Sequence, residues 1–298
     1  MGGKLIVRSL VMMCLCSLTL NGAILRPETV AAFERYVRLT EERMADDIDH
    51  DQFLIVDRAP QPHREEIYHQ LQRGDVYIEE LKTQDDGHSV SFPGGMVHHW
   101  AGVIFIKNGR LSEALAVLQD YEHAQDIYKP DIRQSKLIER NGSEADIYLQ
   151  FFNKSLVTVV LNANFHVSDT QAGSGRYQIA SYSTRIAETK DPSNPDQFEL
   201  PVGRDHGYMW RLNTYWRIEE KDGGVYLQNE SIELSRSIPP LLIWLVRPLT
   251  KSIPRNLLVH LLEASRNAVE RGCLSRNDVS DIAIRCDIDH HFVSAQPQ

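Results

Sequence analysis

The chain has 298 residues, 42% of them hydrophobic and 24% charged, which is enough to bury a core and matches ordinary soluble globular proteins. Its 41 acidic residues outnumber its 32 basic ones, for a net charge of −9. That balance excludes nucleic acid and an anionic membrane surface as the main partner.

Lys4 and Arg8 precede an uncharged run, Ser9–Leu25, with an apolar heart at Leu10–Leu20 and small residues Gly22 and Ala23 at its exit. This order reads as a secretory signal, so residues 1–23 are expected to be cleaved on export to a periplasmic or extracellular space. The alternative is a membrane anchor retained through residues 9–25, for which the run is short against the roughly 20 apolar residues of a span. Cleavage would take away Lys4 and Arg8 and no acid, leaving 30 basic against 41 acidic residues and a net charge of −11. Cys14 and Cys16 would go with it. The remaining pair, Cys273 and Cys286, either closes a small C-terminal loop or stays as two thiols, and spacing leaves both open.

Pro27–Met44 reads as an amphipathic helix, with Val30, Phe33, Val37 and Met44 near one stripe and Glu34–Arg38 as an i,i+4 pair. Asp46–Asp51 reads as a solvated acidic connection that lacks the glycine and spacing of a calcium loop. A short strand at Phe53–Val56, a helix at Arg64–Gln72, a strand at Val76–Leu81 and a turn at Asp85-Asp86-Gly87 follow. Residues 24–95 are thus expected to be an N-terminal helical and mixed extension, an extra layer whose removal leaves a folded, ligand-competent remainder.

From Met96 the pattern sharpens. Val97–Ile106 is a β-branched and aromatic strand that ends at the Asn108-Gly109 turn. Leu111–Ala124 is helical by spacing. Ser135–Glu139 and Asp146–Phe152 are short strands around Asn141-Gly142, and Leu156–Val167 and Tyr177–Glu188 are longer ones. Gly207–Glu220 and Val225–Arg236 form a hairpin across Lys221–Gly224, in a register that pairs Trp216 with Asn229 and Tyr215 with Glu230. Arg255–Arg271 is a long helix, with Pro248 and Pro254 expected to break the segment before it. Residues 273–298 form a peripheral tail.

This order of elements, with the Trp210–Arg236 hairpin leading into a helix, resembles the START/polyketide-cyclase-like (SRPBCC, helix-grip) superfamily over about residues 96–271. The resemblance implies an α+β fold in which a curved antiparallel sheet is gripped by a long C-terminal helix. It also implies an apolar molecule or lipid held between the two, either carried or, as the alternative, transformed by a cyclase- or dehydratase-like enzyme.

Alternation divides the hairpin into two faces. The more apolar one, with Trp210, Trp216, Asn229, Ser231 and Glu233, is expected to face the cavity together with Phe165. Leu257 and Leu261 would contact the ligand from the helix, where Leu257, Leu258, Leu261, Leu262 and Ala268 make a stripe broad enough to leave room for a peripheral membrane contact or a second copy. The opposite face, with Arg211, Arg217 and Glu230, reads as a solvated sheet surface. His166 and His206 lie near strand ends, and either they or Glu233 would supply an acid or base to an enzyme. No zinc motif, phosphate loop, dinucleotide fingerprint or nucleophile elbow occurs, so no catalytic residue, metal or cofactor is expected. No residue pattern specifies an oligomeric state.

Overall fold

The computed structural model describes residues 23–154, 157–195, 198–238 and 243–277. The signal-peptide reading of residues 1–23, the Cys273–Cys286 pairing and the tail after residue 277 lie outside the described residues, except for Ala23. Along the chain come β1 (Ala23–Ile24), α1 (Pro27–Asp49), a 3-10 turn (Ile55–Arg58), α2 (His63–Gln72), β2 (Tyr77–Glu80), β3 (Gln84–Asp85), β4 (His88–Ser89) and β5 (Gly95–Lys107). They are followed by α3 (Leu111–Leu118), α4 (Ala124–Ile127), β6 (Ile132–Asn141), β7 (Glu144–Lys154), β8 (Thr158–Gln171), β9 (Arg176–Glu188), β10 (Arg204–Asp205), β11 (Arg211–Lys221), β12 (Gly224–Arg236) and α5 (Ile243–Asn277).

Eight strands form one antiparallel sheet in the order β2-β5-β12-β11-β9-β8-β7-β6. At its centre is the β11–β12 hairpin, in the register the alternation implies: Trp216 faces Asn229 and Tyr215 faces Glu230. The turn fixes this. Asp222 and Gly223 have φ of 56° and 72°, the left-handed pair of a two-residue hairpin turn whose twist suits the flanking strands.

Each central strand is buried on both faces, so its two sets of alternate residues enter different cores. On β5, Trp100, Ile104 and Ile106 pack on the inner face with Leu258 and Leu262 of α5. Ala101, Val103 and Phe105 pack on the outer face with Phe53–Val56, Ile67 and Leu71. Next to them Phe33, Tyr36, Val37 and Met44 of α1 cover Tyr215, Ile232 and Leu234. The N-terminal residues are therefore a complete second layer, and β2 is a strand of the main sheet.

This layer corrects the reading of the outer face as solvated. Arg217 is 2% exposed and Glu230 is fully buried. Arg217 donates to the Phe53 and Met44 carbonyls, both at 2.8 Å. Glu230 accepts from Arg43 and from His99 Nε2, the latter at 2.7 Å, while Tyr36 Oη lies 2.9 Å from His99 Nδ1. The acidic connection is corrected too: α1 continues through Asp49, and Asp47 is buried against Arg43, 3.1 Å away.

Three further elements differ from expectation. Phe53–Val56 leads into a 3-10 turn, because its apolar side chains are needed on one side of a plug and not on alternating faces. The predicted Leu111–Ala124 helix stops at Leu118 and resumes for one turn at Ala124. The last helix is unbroken through Pro248 and Pro254: each proline removes one backbone donor, but the leucine stripe beyond them anchors the helix to the sheet. At 35 residues it spans about 52 Å.

Gly102 marks where α5 comes down on the sheet. A Cβ there would lie 2.7 Å from Leu262 Cδ1 and 2.6 Å from Ile78 Cδ1. Gly102→Val is expected to push the helix outward and cost about 1–3 kcal/mol. A lowered urea midpoint would register this, whereas an unchanged midpoint would mean the helix is not seated there.

Candidate ligand cavity

The sheet bends away beneath α5 and the segment from α3 to β6, and the space between them is a cavity of about 230 Å³. Val117, Leu118, Tyr121 and Tyr128 line one side, Leu257, Leu258 and Leu261 the roof, and Ile147, Leu149, Phe151, Phe165, Leu212 and Trp216 the sheet floor. Phe151 and Phe165 meet edge to face, with ring centroids 6.1 Å apart. The aromatic and branched character of these strands thus serves the cavity wall as well as the sheet.

A line of polar groups crosses the floor, and Tyr128, Asp131 and His260 add others at the side and roof. Asn229, Ser231 and Glu233 occupy alternate positions of β12 and all line the cavity. Thr214 stands opposite Ser231 on β11, and Ser181 opposite Thr214 on β9, so a hydroxyl rung crosses three strands. Glu233 is half-buried, and burial alone pushes its carboxyl up to about 7. Asn229 is 1% exposed, and neither its Oδ1 nor its Nδ2 has a partner among the described residues. Tyr121 Oη is likewise buried without a partner, and burial pushes the hydroxyl up to about 12.

All the sequence-predicted contacts except Trp210 line this space: Phe165, Trp216, Asn229, Ser231, Glu233, Leu257 and Leu261. Trp210 is on the other side of the sheet. It is 3% exposed, packs with Phe33 and Tyr36 under α1, and donates from Nε1 to Asp205 at 2.9 Å. Its parity with Trp216 fails because β11 begins only at Arg211: Trp210 sits at a bend outside the strand, where alternation does not hold. Met209 takes the lining position instead.

The histidines are also redistributed. His166 pairs with Asp146 and His206 with Glu188, each at 2.9 Å, and neither lines the cavity. His260 does. Its Nδ1 is 2.5 Å from Asp131 Oδ2, and both residues line the cavity. The signal was present in the sequence: His260 lies three residues after Leu257 and one before Leu261, on the same side of the helix.

A strand leads into a short helical segment; antiparallel strands then wrap a cavity, and a single long helix closes it from the C-terminal end. This is a helix-grip arrangement, an antiparallel sheet closed by a long C-terminal helix. No family model and no curated protein sequence matches it. Solved structures do. One is a STAR-related lipid transfer protein fragment from Xanthomonas axonopodis, 18% identical over 65% of this chain and 98% of that one, with a TM-score of 0.42. The Zhui aromatase/cyclase from Streptomyces sp. R1128 is 12% identical over 62% of this chain and all of its own, at a TM-score of 0.43. Human STARD10 is 11% identical over 74% of this chain and 84% of its own, at 0.42. The helix-grip element order occupies the C-terminal part of the chain; the N-terminal layer adds a second cover to its sheet.

Proposed function

We propose that this protein is an exported carrier that holds an apolar small molecule or lipid between the sheet and α5. One observation carries the reading: the cavity is walled from both layers by leucines and aromatic rings, with a line of polar side chains on its floor and the Asp131–His260 pair at its edge. Such a site desolvates an apolar body and orients it by a few polar contacts. Export is supported by the basic start and apolar run before Leu25. Retention through residues 9–25 is the alternative, and the N-terminal residue of the protein recovered from the extracytoplasmic fraction separates the two.

Native mass spectrometry of the intact protein, followed by solvent extraction, tests the carrier reading. An apolar molecule released in about equimolar amount supports it. Ser231→Trp, which fills the floor, is expected to abolish that bound mass while the fold persists; a ligand retained by this variant would place binding elsewhere.

A second reading is an enzyme of the cyclase or dehydratase type using the same cavity. The His260–Asp131 pair favours it, since a carboxylate on Nδ1 orients an imidazole for proton transfer. On this reading His260→Ala keeps the ligand and loses turnover. A carrier would show no turnover to lose.

A further inference from the structure

Among the described residues, the Glu233 carboxyl has no hydrogen-bond or ion-pair partner, and the residue keeps accessible surface where it lines the cavity. Neither of its oxygens is sealed off, in contrast to the Asn229 amide. Its neighbours on the inner face of the sheet explain why the protein leaves it alone. Opposite on β11 stands Leu212, which has no polar side-chain atom, and opposite on β5 stands His98, whose Nε2 lies 3.1 Å from Ser235 Oγ. The rest of the lining has the same sign. Asp120 and Asp131 are its other acids and His260 its basic residue, and no lysine or arginine lines it among the described residues. His260 is taken up by Asp131, and Asp120 pairs with His123 outside the lining, at 2.8 Å.

We infer that the ligand is an apolar molecule bearing an ammonium group, which pairs with the Glu233 carboxylate while its hydrocarbon body lies against the leucines and rings of the cavity. The inference rests on the reading of the cavity as a binding site and specifies the polar end that the site selects. A carboxylate or phosphate end would meet acids of its own sign. A neutral end would leave Glu233 either charged in apolar surroundings or forced to take up a proton, and burial already pushes this carboxyl toward the proton. An ammonium supplies the missing charge together with three donors. The desolvation of the carboxyl is incurred in folding, so binding has to offset the ammonium's own desolvation and not that of both ions. The hydroxyls of Ser231 and Thr214, one rung along the floor, can accept from the remaining donors.

The test uses three probes of similar shape on the full chain: 1-naphthylmethylamine, 1-naphthylmethanol and 1-naphthoate. Isothermal titration calorimetry at pH 8 is expected to rank them in that order, with the amine at least tenfold tighter than the alcohol, the difference between a charge-assisted and a neutral hydrogen bond. From pH 5.5 to 8 the amine should bind more tightly as Glu233 ionises, and the alcohol less tightly. Glu233→Gln keeps the shape and should abolish both the preference and the opposition of the two slopes. Any slope that His260 contributes acts on parent and variant alike, so the difference between them reports Glu233. Equal or weaker binding of the amine at pH 8, or a preference that survives in Glu233→Gln, would overturn the inference while leaving the cavity as a binding site. Failure of all three probes to bind a folded protein would overturn the binding-site reading as well.

Discussion

A chain beginning at Gly95 is expected not to fold. Such a chain keeps the helix-grip elements but loses β2, which pairs with β5 from Tyr77 to Glu80, and it loses the cover over the outer face of the sheet. Val103, Phe105, Tyr215, Tyr226, Ile232 and Leu234 would then face water, each giving up roughly 1.5–3 kcal/mol of burial. Arg217 and Glu230 would lose their N-terminal partners, Met44 and Phe53 for one and Arg43 for the other. Together these losses exceed the 5–15 kcal/mol by which a typical domain is stable. Soluble expression, gel filtration and circular dichroism check the result. A compact, cooperatively melting fragment would show that the first layer is an accessory.

The same argument predicts a point mutation. Glu230→Ala takes away the carboxylate that buried His99 is bonded to and leaves Arg43 with Asp47 alone, and it is expected to cost about 3–5 kcal/mol, because removing one member of a buried charged network leaves its partners undercompensated. For a chain of this size that lowers the melting temperature by roughly 6–15 °C. Burial pushes the Glu230 carboxyl up, but the hydrogen bond and charge of His99 and the charge of Arg43 outweigh it and hold it below the usual range. A depressed folded-state value means that the contribution is present above the unfolded value and is lost as pH falls through the folded one, so acid should loosen α1 from the sheet.

Much of the inner half was legible. The hairpin register followed from the Lys221–Gly224 turn and strict alternation, since sliding by one residue would have put Trp216 and Asn229 on the wrong face. The leucine spacing of α5 placed Leu257 and Leu261 over the cavity. The outer half was not legible, for a physical reason. Arg217 and Glu230 look like a wet surface until their partners are known, and Arg43 and His99 lie 187 and 131 residues away from Glu230 in the chain. Charge reads as exposure in one dimension and can mean a buried network in three. Trp210 failed because it sits at a bend just before β11, where the alternation of the strand does not hold. Phe53–Val56 failed because a four-residue apolar run has no period of its own.

Glu233 should make both stability and ligand affinity depend on pH across neutrality. Its carboxyl is raised from an ordinary 4.5 to about 7 by burial alone, with no ion pair to hold the charge. His98 stands opposite it on β5, and burial lowers that imidazole below its usual value, so this neighbour does not offset the charge near pH 7. A carboxyl raised in the folded state contributes stability that is fully present below the unfolded value and is lost as pH rises through the folded one. The loss falls between about pH 4.5 and 7 and is at most about 3.5 kcal/mol, since one pKa unit is worth about 1.4 kcal/mol. Glu233→Gln keeps the shape and removes the titration, so its melting temperature should fall less than that of the parent protein between pH 5 and 8. An apolar ligand seated on the floor excludes more water from Glu233 and favours the protonated form further. Affinity for a neutral probe should therefore decline above pH 7, approaching tenfold per pH unit, and Glu233→Gln should bind with no such slope. Parallel pH profiles for parent and variant, in melting and in binding, would mean that Glu233 is ionised and solvated, and the floor of the cavity would then be open to water.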